Sequence, residues 1–147
     1  MKIYTEHITL QSTKQREVFN LTTQVKAAME KSGFRDGIIL VSSLHSNSAV
    51  IVNDDEPGLL EDLDAWLIQL APPRDDYKHK GRFESNSAIH FQSLLLHHQV
   101  IVPFTDARLD LGPWQAILFI ELHGLRPKRI LVKVMGDGPA EEHARRA

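Results

Sequence analysis

An α+β domain built on antiparallel strands is what this sequence predicts, and three observations predict it. Seven short stretches carry β-branched and apolar residues in strand-like patterns, and three carry helical spacing. The elements run strand, strand, helix, strand, strand, helix, polar loop, short helix and three strands, which is not the strict alternation that builds a parallel sheet. The connections in the last third are of hairpin length, which suits antiparallel neighbours and is too short for a parallel crossover.

Residues 2–10 alternate, with Ile3, Thr5, His7 and Thr9 on one face and Tyr4, Ile8 and Leu10 on the other. Residues 16–21 form a second strand, joined to the first as a hairpin through Ser12–Gln15. Thr22 or Thr23 caps a helix that carries Val25, Ala28 and Met29 at helical spacing, and Gly33 suits the position just past its end. The runs 37–43 and 48–53 are strands. Glu56 and Pro57 open a helix whose buried stripe is Leu59, Leu60, Leu63, Leu67 and Leu70, and Pro72-Pro73 stops it. A polar loop over 72–85 leads to a short helix, Ser87–Leu96, capped by Asn86. Strands at 98–103, 114–122 and 128–135 follow. Trp66 and Trp114 read as core residues.

The chain has 147 residues, 42% hydrophobic and 24% charged, which fits one domain over 1–136 with a charged tail at 137–147. With no cysteine, disulfides and thiolate-held metals are excluded, so any metal falls to His, Asp, Glu, Asn or water. Seventeen basic against nineteen acidic residues, with no long basic run, give no electrostatic case for nucleic acid or membrane. Met1–Leu10 lacks the apolar block of a signal peptide, and the apolar runs are far short of a span, so a cytoplasmic location is expected.

No phosphate-binding glycine loop, HExxH or GxSxG is present. The chemistry-bearing residues are histidines and amides near strand ends and loops. His45 follows the strand 37–43, His79 lies in the polar loop, and His90 lies on the short helix four residues after Asn86, so that Asn86 and His90 can face the same way. Three imidazoles from three segments can ligate one divalent metal with positions open for water or substrate. The alternative is that they are surface or capping histidines. His97 and His98 adjoin a strand start and point in opposite directions if both are extended. His7, His123 and His143 read as exposed. Asn53-Asp54-Asp55-Glu56 can bind a metal, and is also a good helix N-terminal signature. Gln115 and Glu121, six apart, share a strand face and need partners if buried.

The same residues carry a resemblance. LHSNSAVIVNDDE, with His45 and Asn53, then Tyr77-x-His79, Asn86-x-x-x-His90, and VPFTDARLDLGPWQ from Val102 to Gln115, followed by Glu121, are similar to the pattern of the YjbQ-like family, also called the secondary thiamine-phosphate synthase family. The resemblance spans about residues 3–136. It implies a two-sheet antiparallel β-sandwich with two to three helices, assembled as a homotrimer, with a metal at His45, His79 and His90 and with Asn53, Asn86, Gln115 and Glu121 around it. It also implies a weak thiamine-phosphate synthase activity. There are departures: Ser46 and Asn47 replace two Thr, Asp54 a Glu, Ala107 a Gly, and LLLHHQ a shorter Leu-Leu-Gly segment. Ala107 implies a turn with no need for positive φ.

Three functions fit. A transferase making thiamine phosphate needs a cation for its leaving pyrophosphate, with Lys78, Lys80 and Arg82 as phosphate contacts. Imidazole ligands suit zinc or nickel better than magnesium, which prefers oxygen. A metal-assisted hydrolase would use Glu121 or a neighbouring carboxylate as base. A non-catalytic trimer would bind a small phosphorylated or anionic ligand.

Overall fold

The structure, a computed structural model, describes residues 1–81 and 86–138. Its strands are β1 (Lys2–Gln11), β2 (Glu17–Asn20), β3 (Gly37–Ser43), β4 (Ser48–Asn53), β5 (Gln99–Thr105), β6 (Arg108–Leu109), β7 (Ala116–Glu121) and β8 (Pro127–Gly136). The helices are α1 (Thr22–Ser32), α2 (Pro57–Leu70) and α3 (Ser87–Leu96). The strands form two antiparallel sheets, one ordered β1-β8-β3-β5-β6 and the other β2-β7-β4. This is the α+β, two-sheet architecture that the sequence predicts.

Alternation decides what each strand buries. On β8, Lys128, Ile130, Val132 and Val134 turn inward while their neighbours are more exposed. On β1, Tyr4, Ile8 and Leu10 pack on the same core. Strand β7 is buried throughout, because it is covered on both faces. Its Ile117 and Phe119 meet the larger sheet and α1. Its Leu118 and Ile120 meet Leu67 of α2 and Ile89 and Leu96 of α3. Helices α2 and α3 thus lie on the outer face of the small sheet. No helix among the described residues is long and apolar enough to cross a membrane.

Several expectations need correction. The hairpin between the first two strands does not form: β1 pairs with β8 in full register, from Lys2↔Gly136 to Gln11↔Pro127. The four-residue β2 could not satisfy a ten-residue strand, and it pairs with β7 in the other sheet. Between them Ser12 is buried, its Oγ accepting the Leu125 N–H at 2.9 Å. Thr22 does not cap α1, because its Oγ1 accepts the Ile117 N–H of β7 at 3.0 Å. Of the α2 stripe only Leu67 is fully buried, while Leu59 and Leu70 are exposed; the small sheet is three strands wide and shares its outer face with α3. Trp66 and Trp114 are not core residues, being 50% and 75% exposed.

The turn between β5 and β6 does need positive φ. Asp106 and Ala107 have φ of 50° and 55°, as the mirror-image turns of two-residue hairpins require. The Ala107 N–H is held there by the Arg35 carbonyl at 2.8 Å. An alanine pays about 1 kcal/mol for the left-handed region. Ala107→Gly is therefore expected to raise the unfolding free energy by about 1 kcal/mol in urea titration. An unchanged or lowered value would contradict this strain.

Candidate functional site

Helix α3 is fixed to the rest of the molecule by its polar side chains. Ser93 Oγ donates to the Ser48 carbonyl of β4 at 2.7 Å. Buried Gln92 donates to the Ala71 carbonyl and accepts from Arg16. The polar loop is tied to the same helix: Tyr77 packs edge-on against Phe91, and Ser87 Oγ donates to the His79 carbonyl at 2.8 Å. A cavity of about 660 Å³ opens between α3, its C-terminal end and the connection after β3. Its wall includes Ser43, His45, Ser46, His90, Ser93, His97 and His98.

His79 and His90 come together, with ring centres 5.0 Å apart and planes edge-to-face. Asn86 stands at the N-cap position of α3 but makes no capping bond, since its Oδ1 meets His79 Nε2 at 2.9 Å. An amide oxygen only accepts, so His79 carries its proton on Nε2 and leaves Nδ1 as a lone pair. His90 Nδ1 meets the Ser46 carbonyl at 3.1 Å. It must donate there, and its Nε2 keeps the second lone pair.

His45 shares the cavity wall with His90 but is arranged differently. Its Nε2 accepts the Arg129 backbone N–H at 2.9 Å, so the ring presents an Nδ1–H and no free lone pair. Among the described residues no three His, Asp or Glu side chains are grouped so as to hold a metal ion.

The expected single constellation is divided. Glu121 ends β7 and is 1% exposed, with Oε1 on Lys128 Nζ at 2.6 Å and on the His123 N–H at 3.0 Å. Its Oε2 is buried with no hydrogen-bond partner among the described residues. Gln115 is not within the strand. It lies in the turn before β7, where its Oε1 accepts the Gly112 N–H at 2.8 Å. The strand rise puts Gln115 about 20 Å from Glu121 along the chain. Asn53 is at the Gln115 end, because Asn53 pairs with Ala116 and Ser48 with Glu121. Of the loop cations, Lys80 donates to the Asp75 carbonyl. Arg82, like His143 and most of the tail, lies outside the described residues. A second cavity, about 470 Å³ between β2 and α2, contains Arg16 and Asp64 already paired at 2.6 Å.

A family model described as UPF0047 protein YjbQ-like matches residues 6–137. The chain belongs to the YjbQ-like UPF0047 family. UPF0047 proteins of Archaeoglobus fulgidus and Methanothermobacter thermautotrophicus are 39% and 37% identical to it. Those matches cover 87% and 92% of this chain and 98% and 94% of theirs. The crystal structure of a YbjQ-like protein of unknown function from Sulfolobus solfataricus superposes with a TM-score of 0.87 at 31% identity, over 92% of this chain and 99% of that one. A hypothetical protein of Aeropyrum pernix superposes with a TM-score of 0.84 at 28% identity, over 91% and 99%. These UPF0047 relatives are uncharacterised, so the family fixes the fold and leaves the chemistry to the site.

Two wall residues lie outside the expected set, His97 and His98. They share one cavity because His97 is not extended: its φ is 69° and its ψ 160°. The signal was the segment LLLHHQ, standing in place of a shorter Leu-Leu-Gly segment of the family pattern. Lys128 was also missed, since a lysine at a strand start gives no sign of burial.

Burial lowers the pKa of His45, the Lys128 charge adds to this, and Glu121 opposes it. The folded ring takes up a proton less readily than the unfolded one. Stability is therefore full above the ordinary imidazole range and falls as pH drops through that range toward the lowered folded value. Urea unfolding of wild type from about pH 7.5 to about pH 5.5 is expected to lose more stability than that of His45→Gln. Parallel pH profiles would refute the assignment.

Proposed function

We propose that this protein is an enzyme acting on a small anionic substrate in the cavity of His45 and His90, with a divalent cation held by His79 and His90. The observation that carries this reading is the pair of fixed tautomers. Each ring gives its one N–H to a held oxygen, Asn86 Oδ1 or the Ser46 carbonyl, and keeps a lone pair on the other nitrogen. Outer partners of this kind orient metal-ligating imidazoles. Two imidazoles fit part of the ligand set of zinc or nickel, and fit magnesium poorly. When bound, such a cation supplies Lewis acidity toward a substrate oxygen.

This chain's own residues have separate parts in that scheme. Asn86 orients His79, the Ser46 carbonyl orients His90, and His45 offers its Nδ1–H to a substrate oxygen. Glu121, tied to Lys128, supports the wall behind His45 and is not the base. The donor set favours metal-assisted hydrolysis over thiamine-phosphate synthesis, because the leaving pyrophosphate of the latter calls for an oxygen-loving cation. Calorimetric titration of the full chain with zinc at about pH 8 is the test. His79→Ala and His90→Ala are each expected to weaken binding about tenfold or more, and Asn86→Ala by a lesser factor. Acid should release the metal, because protons compete for the same lone pairs. Equal zinc affinity in wild type, His79→Ala and His90→Ala would sink the reading.

We also propose a homotrimer as the working form. Supporting it are apolar side chains on the outer side of α2 and α3, with Trp66 50%, Leu94 72% and Leu95 51% exposed. A set of this kind marks an interaction surface. Leu94 also borders the cavity. Light scattering at micromolar concentration is expected to give three times the chain mass, and a stable monomer would count decisively against it.

A further inference from the structure

The end of α3 holds the cavity's only wall residue with a strained backbone. His97 has φ 69° and ψ 160°, a region nearly confined to glycine, where a side chain is costly. Its backbone is pinned on both sides. The Val50 N–H of β4 reaches the His97 carbonyl at 3.3 Å, and the Ser43 N–H of β3 reaches the His98 carbonyl at 2.8 Å. The two bonds tie this corner to both sheets and would be made equally well by glycine. Glycine would hold the same path without the strain, so the backbone path alone does not call for a histidine.

That side chain lines the same cavity as His45, His90 and His98, and every titratable residue in the wall is a histidine. No Asp or Glu lines it. The charges that act on His45 from behind are Lys128 and Arg129, with Glu121 opposing them. His45, His97 and His98 each have an N–H to donate whether neutral or protonated, and Ser46 lines the same wall, while the N–H of His90 and the Ser93 hydroxyl are already given to the Ser46 and Ser48 carbonyls. A wall with several donors and no carboxylate suits an oxyanion.

We infer that His97 and His98 form the recognition site for the phosphate group of a small substrate. This deepens the reading of the cavity given above and rests on it for the anionic substrate, but it requires no cation. His97 and His98 belong to the LLLHHQ segment, which departs from the family pattern, so a role of theirs is particular to this chain.

The experiment uses the full chain stripped of metal and titrated with inorganic phosphate, and separately with acetate, followed by imidazole NMR shifts and calorimetry. Wild type is expected to bind phosphate more tightly than acetate. His97→Gly and His98→Ala should each weaken phosphate binding about tenfold, the scale of one hydrogen bond to a charged group. His97→Gly should also melt higher than wild type, because strain is relieved, and should keep its zinc affinity. Loss of zinc binding in His79→Ala or its absence in wild type bears on the cation reading alone. Phosphate affinity unchanged in both His97→Gly and His98→Ala, no phosphate binding by wild type, or tighter binding of acetate would each overturn the inference.

Discussion

One buried ion pair holds the two sheets together at the histidine end. Lys128 of β8 reaches across to Glu121 of β7 at 2.6 Å, and both are almost wholly buried. The ammonium is fully served, with the Asn47 amide oxygen at 3.1 Å and the His123 carbonyl at 2.9 Å as its other acceptors. Removing one partner of such a pair leaves an uncompensated charge and costs about 3–5 kcal/mol. Its reach extends further than stability. Arg129, whose N–H sets the tautomer of His45, is the next residue of β8, so what fixes Lys128 also fixes that donor. Ser43 and Ser48, bonded to each other at 2.6 Å, join the sheets a short way off, and Ser43 Oγ also accepts the His45 N–H.

Much of the fold was legible because strand and helix periods are local properties. The alternation in β1, the glycine at 33 with φ 67°, and the capping of α2 by Glu56 were all written in short stretches. That cap also lowers the Glu56 pKa, through the Gly58 and Leu59 N–H groups. What was not legible is which sheet a strand joins. Nothing in residues 2–20 says that β1 and β2 separate, because their partners lie in the last third of the chain. The exposure of Trp66 and Trp114 was hidden for a related reason. An aromatic on a helix face reads as core until the width of the sheet beneath it is known.

The site was legible as a list of residues and not as an arrangement. His79, His90 and Asn86 do meet, and the Asn-x-x-x-His spacing on a helix was the local signal for two of them. Asn86 could not be separated from an ordinary cap by sequence, since asparagine favours that position for its own sake. Only the diversion of its side chain to His79 tells the two uses apart. Gln115 was misjudged because the strand begins at Ala116, two residues later than its expected start at Trp114. His97 was passed over because a strand start read as extended makes it point away from His98, and its left-handed backbone appears only in the fold.

The pairing of β1 with β8 also governs how the chain can acquire this structure. These strands match residue for residue over ten positions, yet stand more than a hundred residues apart in the sequence. The second partner of β8, β3, likewise waits for it. On a growing chain, β1 and β3 emerge long before the strand that lies between them; β3 can pair with β5 on its other edge, while β1 has its apolar face and both backbone edges unpaired. Closing such long loops comes before the contacts that reward it, which makes folding slow and leaves the early strands open to association with other chains. Strand β8, which lies between β1 and β3, is thus the last strand to be synthesised, and its arrival, carrying Lys128, gives β1 its sheet partner and joins it to the strands already paired with β3.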